Sequence, residues 1–385
     1  MALDTTRSDW VARHFSLRAT EYTKFQNFYD GIHKVELTDR LKDFLKVVEQ
    51  EFNSNFCEVV VDAMTDRIIV AGFDIEDDDG DTNIRQWISD VWKRNRMDAE
   101  QRIVHNQAAV KGDAYVMVDW DEAKNIPLFF FDDAERVRPK YDPANRRELE
   151  YVARKWTVNG HEWLNLYYPD RIEKYISSDG AGGSWQERIS LDEEWPVPWM
   201  VGNEPIGIPV VHFRNKPRHT HWGRSELDSV IPLQVALDKT LVDLMMVSDT
   251  MGFPQRWLAN VKTPASGFKI FPGSVWDLTP KPGTDAGIQV GQFSSEDPGG
   301  LIKTMDELIG QIAAVSRTPQ HLFKLSAGIY TSGVALQTAE DGLIKKIADR
   351  HVVYGNAWED VVRLGMRIHN ARAGEAQLDP DVVLS

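Results

Sequence analysis

The sequence predicts an α+β fold. Three observations carry that. Apolar residues recur at helical spacing through most of residues 1–112, short apolar or alternating runs fill residues 113–213, and the last part alternates helix, Pro/Gly-broken β stretch and helix before one very long helix.

From Trp10 to Tyr29 the residues Val11, Phe15, Tyr22, Phe25 and Tyr29 mark a helix, and Asp30-Gly31 stops it. A short helix is expected over Phe44–Phe52 and a strand over Arg67–Phe73, which ends at Gly72 and Phe73. The run Glu76-Asp77-Asp78-Asp79-Gly80-Asp81 fits an EF-hand poorly: counting back from Gly80 puts Ile75 at the first ligand position, so a solvated acidic turn is expected. Helices follow over Asn83–Lys93, with Ile84, Trp87, Ile88 and Val91 on one face, and over Ala99–Lys111, closed by Gly112. Ala114–Val118, Leu128–Phe131, Tyr151–Thr157, Trp163–Tyr168 and Ile208–Phe213 read as strands. Asp179–Ser184 is a Gly-rich tip, and Trp195–Trp199 is held extended by its prolines.

After Trp222 a helix carries Val230, Leu233, Leu237, Leu241 and Leu244 along one stripe, with Pro232 in its first turn. Met251-Gly252-Phe253-Pro254 ends it. Strands are expected over Gln255–Ala259, Ser274–Leu278 and Ile288–Phe293. Asp297-Pro298 then starts a helix whose buried face is Leu301, Met305, Leu308 and Ile312, and Thr318-Pro319 closes it. His321–Thr331 is a loop. Ser332 caps a final helix reaching about Arg372, roughly 60 Å long at about 1.5 Å per residue.

The formal net charge of −15 over 385 residues argues against a free-standing nucleic-acid binder, which would carry a basic patch. A single cysteine, Cys57, excludes an internal disulfide and a thiolate zinc cluster and fits a reducing compartment. No apolar run approaches the roughly 20 residues of a membrane span, and the start shows no secretory signal. The thirteen tryptophans are expected mostly as core or interface anchors.

Catalytic patterns are lacking. There is no GxxxxGK[ST], no GxSxG, and His161-Glu162 has no second histidine to complete HExxH. His219 and His221 form one close pair, read as part of a solvated loop. Asp119/Asp121 and Asp132/Asp133 follow strands and are read as exposed turn acids; a metal-dependent hydrolase or nuclease using such acids is the alternative reading. No cofactor is implied.

Several segments together carry a resemblance. They are Tyr29-Asp30-Gly31; Asn55 with Val59-Val60-Val61-Asp62; Gly112-Asp113-Ala114-Tyr115-Val116; Trp222-Gly223-Arg224-Ser225-Glu226-Leu227 with Ile231-Pro232-Leu233-Gln234; Phe253-Pro254-Gln255-Arg256; Ser316-Arg317-Thr318-Pro319; and Ser332-Gly333-Val334-Ala335-Leu336. In this order they resemble the portal proteins of tailed bacteriophages, the head-to-tail connectors through which DNA enters and leaves the capsid. Another structural phage head component is a further alternative.

The resemblance implies a portal-type fold. Residues 1–226 map to the wing, 227–250 and 298–316 to the stem helices, 251–297 to the clip, 321–331 to the tunnel loop and 332–372 to the long helix. The remainder, 373–385, is a short tail with the helical crown absent or truncated. It implies a non-enzymatic homo-oligomeric ring, normally of about twelve copies around double-stranded DNA. Such a ring sits at the capsid vertex of the virion and is assembled in the host bacterial cytoplasm. Its partners would be the terminase large subunit, the major capsid protein and a head–tail adaptor, with no membrane. It further implies that His321, Lys324 and Tyr330 face DNA. Arg256, Trp257, Lys262, Phe268 and Lys269 would contact partners. Leu233, Leu237, Leu241, Leu244, Leu301, Met305, Leu308 and Ile312 would pack between subunits.

Overall fold

A computed structural model describes residues 3–33, 54–75, 82–145, 148–177, 184–189, 194–252, 256–263, 278–283, 287–292, 298–323, 333–373, 378–382 and 384. The expected helix 44–52, the acidic run 76–81 and most of the expected strand 274–278 lie outside these residues. The mixture of helix and strand is α+β, as predicted. The chain divides into two compact units. One comprises residues 1–34, Ser54–Gln234 and Gly310–Ser385; the other contains Val235–Ile309.

In the first unit, helix α1 (Thr5–Tyr29) begins at Asp4, whose carboxylate accepts the Arg7 backbone N–H at 3.0 Å. Its face of Val11 and Phe15 packs on Tyr151, Ala153, Leu164, Leu166 and Tyr175. Those residues belong to an antiparallel sheet of β3 (Val137–Tyr141), β4 (Leu149–Val158), β5 (His161–Tyr167), β6 (Arg171–Ser177) and β7 (Trp185–Glu187), in that order. The short β8 (Val197–Pro198) also pairs with β6. A two-stranded hairpin, β9 (Met200–Val201) and β10 (Glu204–Pro205), follows.

Helix α2 (Phe56–Thr65) is a segment in which the sequence alone showed no helix. Asn55 caps it, and its Val60, Val61 and Met64 are fully buried, so packing overrides the strand preference of three consecutive valines. The strand expected over Arg67–Phe73 does not form. Its backbone is satisfied by a side chain instead of a ladder: Val70 N–H donates to Gln101 Oε1 at 2.7 Å, and Gln101 Nε2 donates back to Val70 O at 3.4 Å. Helix α3 (Thr82–Arg94) places Ile84 and Ile88 against Val362 and Met366 of the last helix. Helix α4 (Met97–Lys111) ends at Gly112, which adopts φ +90°, a left-handed conformation suited to glycine.

A second sheet has the order β11 (Val210–Arg214), β1 (Asp113–Asp121), β2 (Ile126–Asp132), all antiparallel. Helix α4 and the last helix both pack on it. The fully buried Trp358 sits 4.8 Å from the Phe213 ring and donates its indole N–H to His105 Nε2 at 2.8 Å. Gly365 lets the last helix approach β2, because a Cβ there would stand 2.9 Å from the Phe129 ring.

In the second unit, helix α5 (Ile231–Gly252) supplies Val235 onward. A hairpin follows, in which β12 (Arg256–Ala259) pairs antiparallel with β13 (Gln289–Gln292), and helix α6 (Gly299–Ser316) contributes residues up to Ile309. The final helix, α7 (Gly333–Arg372), runs 40 residues and lies in the first unit. Among the described residues no helix is long and apolar enough to cross a membrane.

The corner at Gly112 makes a sharp test. A Cβ added to Gly223 would overlap the Gly112 carbonyl oxygen and stand 2.7 Å from Asn215 O, both backbone atoms with no freedom to move aside. Gly223→Ala is therefore expected to lower stability by about 2 kcal/mol or more. Gly300→Ala, in open space on a helix, is expected to change it by less than about 1 kcal/mol. Urea unfolding of the two variants compares them.

Candidate functional site: a buried polar junction and two apolar helix stripes

Several of the segments singled out in the sequence meet in the first unit. The last carbonyls of α4 have no helical partners and are met by the Trp222–Leu227 segment: Glu226 N–H donates to Ala109 O at 2.9 Å and the Ser225 hydroxyl donates to Val110 O at 2.5 Å. The Gly112 carbonyl accepts from Asn215 N at 2.8 Å.

Asp113, wholly buried at the start of β1, collects the adjacent donors. Its carboxylate accepts from Gly223 N at 2.7 Å, Arg18 at 2.6 Å, the Tyr22 hydroxyl at 2.8 Å and His212 Nε2 at 2.9 Å. Burial pushes this carboxyl up, but His212 and Arg18 outweigh it and hold it below the ordinary range. Burial also lowers the His212 pKa. The imidazole accordingly donates from Nε2 to Asp113, while its Nδ1 accepts the Tyr141 hydroxyl at 2.8 Å.

The second centre is Glu226, also buried. Its Oε2 lies 2.6 Å from Lys216 Nζ and 2.9 Å from Lys346 Nζ; its Oε1 lies 3.1 Å from both Arg350 and the Asn215 amide. Lys346 and Arg350 are one turn apart on α7 and so present both cations to one carboxylate. Asn215 bridges the set. Its Oδ1 accepts Arg350 Nε at 2.5 Å and the Tyr354 hydroxyl at 3.3 Å, while its Nδ2 donates to Arg224 O at 2.7 Å. Lys346 also donates to Ser316 O at 3.1 Å, which ties the Ser316–Pro319 segment to α7. Burial alone would raise the Glu226 pKa; Lys346, Lys216 and Arg350 overcome it and bring it to about 2. Burial lowers the Lys216 and Lys346 pKa values, and Glu226 offsets this only in part.

Two other segments interlock nearby. Asn55 Nδ2 donates to Tyr29 O at 2.7 Å, and the Tyr29 hydroxyl donates to Asp62 at 2.9 Å. Gln234 donates to Ser54 O and accepts the Phe56 N–H at 3.3 Å, holding the start of α2.

The acids considered for metal chemistry serve as ion-pair partners: Asp132 pairs with Arg154, Asp133 with Lys111 and Asp121 with Lys124. His221 stacks on Tyr141 with ring centroids 4.3 Å apart.

Of the expected loop contacts, His321 lies in a short 3-10 turn (Gln320–Leu322), with Nε2 3.6 Å from Glu340; Lys324 and Tyr330 lie outside the described residues. In the β12–β13 hairpin, Trp257 lies over Gly291, where a Cβ would come within 2.6 Å of the indole nitrogen, and remains 37% exposed. Arg256 pairs with Gln292 across the hairpin, and Lys262 N–H donates to Thr279 O at 2.9 Å. Phe268 and Lys269 lie outside the described residues. On the helical stripes Leu237 and Ile312 are buried, whereas Leu233, Leu241, Leu244, Leu301, Met305 and Leu308 are only half-buried. Ile302 and Val315 are 48% and 50% exposed.

Lys216, Lys346, Arg350 and Asn215 were missed from sequence. The available signal was a glutamate in the Trp222–Leu227 segment just before an apolar helix, which needs cations once buried, and Lys346/Arg350 at i, i+4 on a long helix.

Comparison with known proteins places this arrangement. A model of the phage portal protein family, SPP1 Gp6-like, matches residues 8–382. The chain belongs to this family. It is 26% identical over 329 residues to the portal protein of Mycobacterium phage D29 and 25% identical over 328 residues to that of Mycobacterium phage L5. Each match covers 80% of this chain and 63% of the relative, so the chain spans less than two thirds of those proteins' length. The fold is similar to a chain in the neck of an empty GTA particle computed with C6 symmetry, with a TM-score of 0.50 at 11% identity, covering 86% of this chain and 82% of that one.

The buried carboxylate sets the acid stability. Glu226 titrates at about 2 in the fold against an ordinary 4.5, so the unfolded chain binds its proton first; its stabilisation is complete above pH 4.5 and is lost as pH falls from 4.5 toward 2. Glu226→Gln leaves three cations without their anion and is expected to cost about 3–5 kcal/mol at neutral pH and to flatten that acid limb. His105, buried neutral and lowered by burial to about 4 from 6.5, gives a separate loss as pH falls from 6.5 toward 4, which the variant retains. Urea unfolding across this pH range separates the two.

Proposed function

We propose that the chain is a ring-forming portal subunit at the capsid vertex, through which double-stranded DNA is packaged and ejected. One observation carries the ring. The α5 and α6 stripes keep Leu233, Leu241, Leu244, Leu301, Met305 and Leu308 half-exposed in a single chain. Each leucine-sized side chain gains roughly 1.5–3 kcal/mol on full burial. A neighbouring copy offering the same stripes supplies that burial, and a head-to-tail contact that closes makes a ring. We assign about twelve copies to it.

The charge of the chain suits a conduit. Each copy carries a formal −15, and duplex DNA carries one negative charge per about 1.7 Å. An acidic wall repels the duplex and favours sliding over tight binding. The loop 321–331, with Lys324 as its one base, is assigned to face DNA. The hairpin region 251–297 is assigned to dock the terminase large subunit and later the head–tail adaptor, with Trp257 as an exposed anchor; the wing is assigned to meet the major capsid protein.

Light scattering on size-exclusion fractions, with negative-stain microscopy, tests the assembly. The native chain is expected to elute as a large closed ring, and Leu241→Glu with Leu301→Glu is expected to shift it to monomers that retain their helical circular dichroism. A native chain that is monomeric at all concentrations overturns the reading. For the docking assignment, Trp257→Ala is expected to weaken terminase binding by about tenfold or more with rings intact. Loss of rings with unchanged docking reverses it.

A further inference from the structure

The first unit carries a recess lined by none of the residues assigned above to the ring, the DNA-facing loop or the docking hairpin. It lies between β11 and the C-terminal half of α7 and encloses about 600 Å³. Four arginines line it: Arg214, Arg218, Arg363 and Arg367. This is unusual placement in a chain with 59 acidic against 44 basic residues. Several buried cations elsewhere in the unit have a carboxylate, Arg18 with Asp113, Lys111 with Asp133, and Lys346 and Arg350 with Glu226, while Arg138 is met by the backbone carbonyls of His14, Ala134 and Val137.

In the recess two of the four arginines have no carboxylate partner among the described residues. Among the described residues, no carboxylate lies within ion-pair distance of Arg214 or Arg218. Arg363 pairs only along its own helix, with Glu359 at 3.0 Å and Asp360 at 3.4 Å, and Arg367 reaches Asp381 only at 3.8 Å. Between the guanidinium groups the lining includes the apolar or aromatic Tyr141, Val210 and Leu364, together with His212 and Asp360.

We propose that this recess binds an acidic peptide segment of a partner protein. Guanidinium forks fit carboxylates with two parallel hydrogen bonds, and the apolar wall accepts the side chain between two such carboxylates. A DNA backbone fits less well. It offers phosphates on a convex rod and no apolar side chain for the wall.

Fluorescence anisotropy on the full chain as purified tests this, with a short labelled peptide alternating glutamate and leucine as probe. The peptide is expected to bind, and its glutamine counterpart is not. Arg218→Gln, at an exposed position, and Arg214→Gln are each expected to weaken binding about tenfold, the worth of a charged hydrogen bond. Far-ultraviolet circular dichroism and the unfolding midpoint check that each variant is folded; should Arg214→Gln fail to fold, Arg218→Gln and Arg367→Gln decide the matter. Equal binding of the glutamine peptide, unchanged affinity in the folded variants, or displacement of the peptide by an equal concentration of duplex DNA overturns the proposal.

Discussion

One buried carboxylate holds the larger unit together. Glu226 has no access to water and would not tolerate burial alone, since an unpaired charge in the interior costs several kcal/mol. It is stable only because Lys216, Lys346 and Arg350 converge on it. Two of those cations come from a helix more than a hundred residues away in sequence, so the ion cluster forms only when α7 is docked. Asn215, on the turn after β11, locks the same helix to the Gly112 corner through Arg350 and Tyr354. Sheet, corner and long helix therefore share one electrostatic condition.

Asp113 repeats the device at the other side of the corner. It binds α1 through Arg18 and Tyr22, β11 through His212 and the Trp222–Leu227 segment through Gly223. Two acidic centres joined by backbone contacts make a rigid junction from elements remote in sequence. The second unit is built otherwise. Its helices show half-exposed apolar stripes and its hairpin an exposed tryptophan. The division suits a portal subunit: a stiff body, and separate surfaces given to neighbours.

Much of this was legible in residue order. The α1, α3 and α4 spans follow from apolar spacing, the strands of both sheets in part from alternation, and the long α7 from the absence of proline between Ser332 and Arg372. The recurring segments were recognisable, and the family match over residues 8–382 agrees with them. Local pattern failed where a distant partner decides. Residues 56–65 form a helix because Val60, Val61 and Met64 are buried, and residues 67–73 form no ladder because Gln101 takes the place of a neighbouring strand. Likewise β3 and β6 form by pairing with β4 and β5, cross-strand contacts that the residue pattern of either strand alone does not show.

By itself, then, the order of residues determined the periodicities, the stop at Gly112, the acidic excess and the family. Each is written in a short stretch or in a sum over all residues. Tertiary structure alone decided that Glu226 meets three cations, that Gly223 abuts Gly112, and that Arg214 and Arg218 are left with no carboxylate beside them among the described residues. Charge pairing depends on distances of a few ångströms between residues far apart in the chain, and only the folded backbone sets those distances.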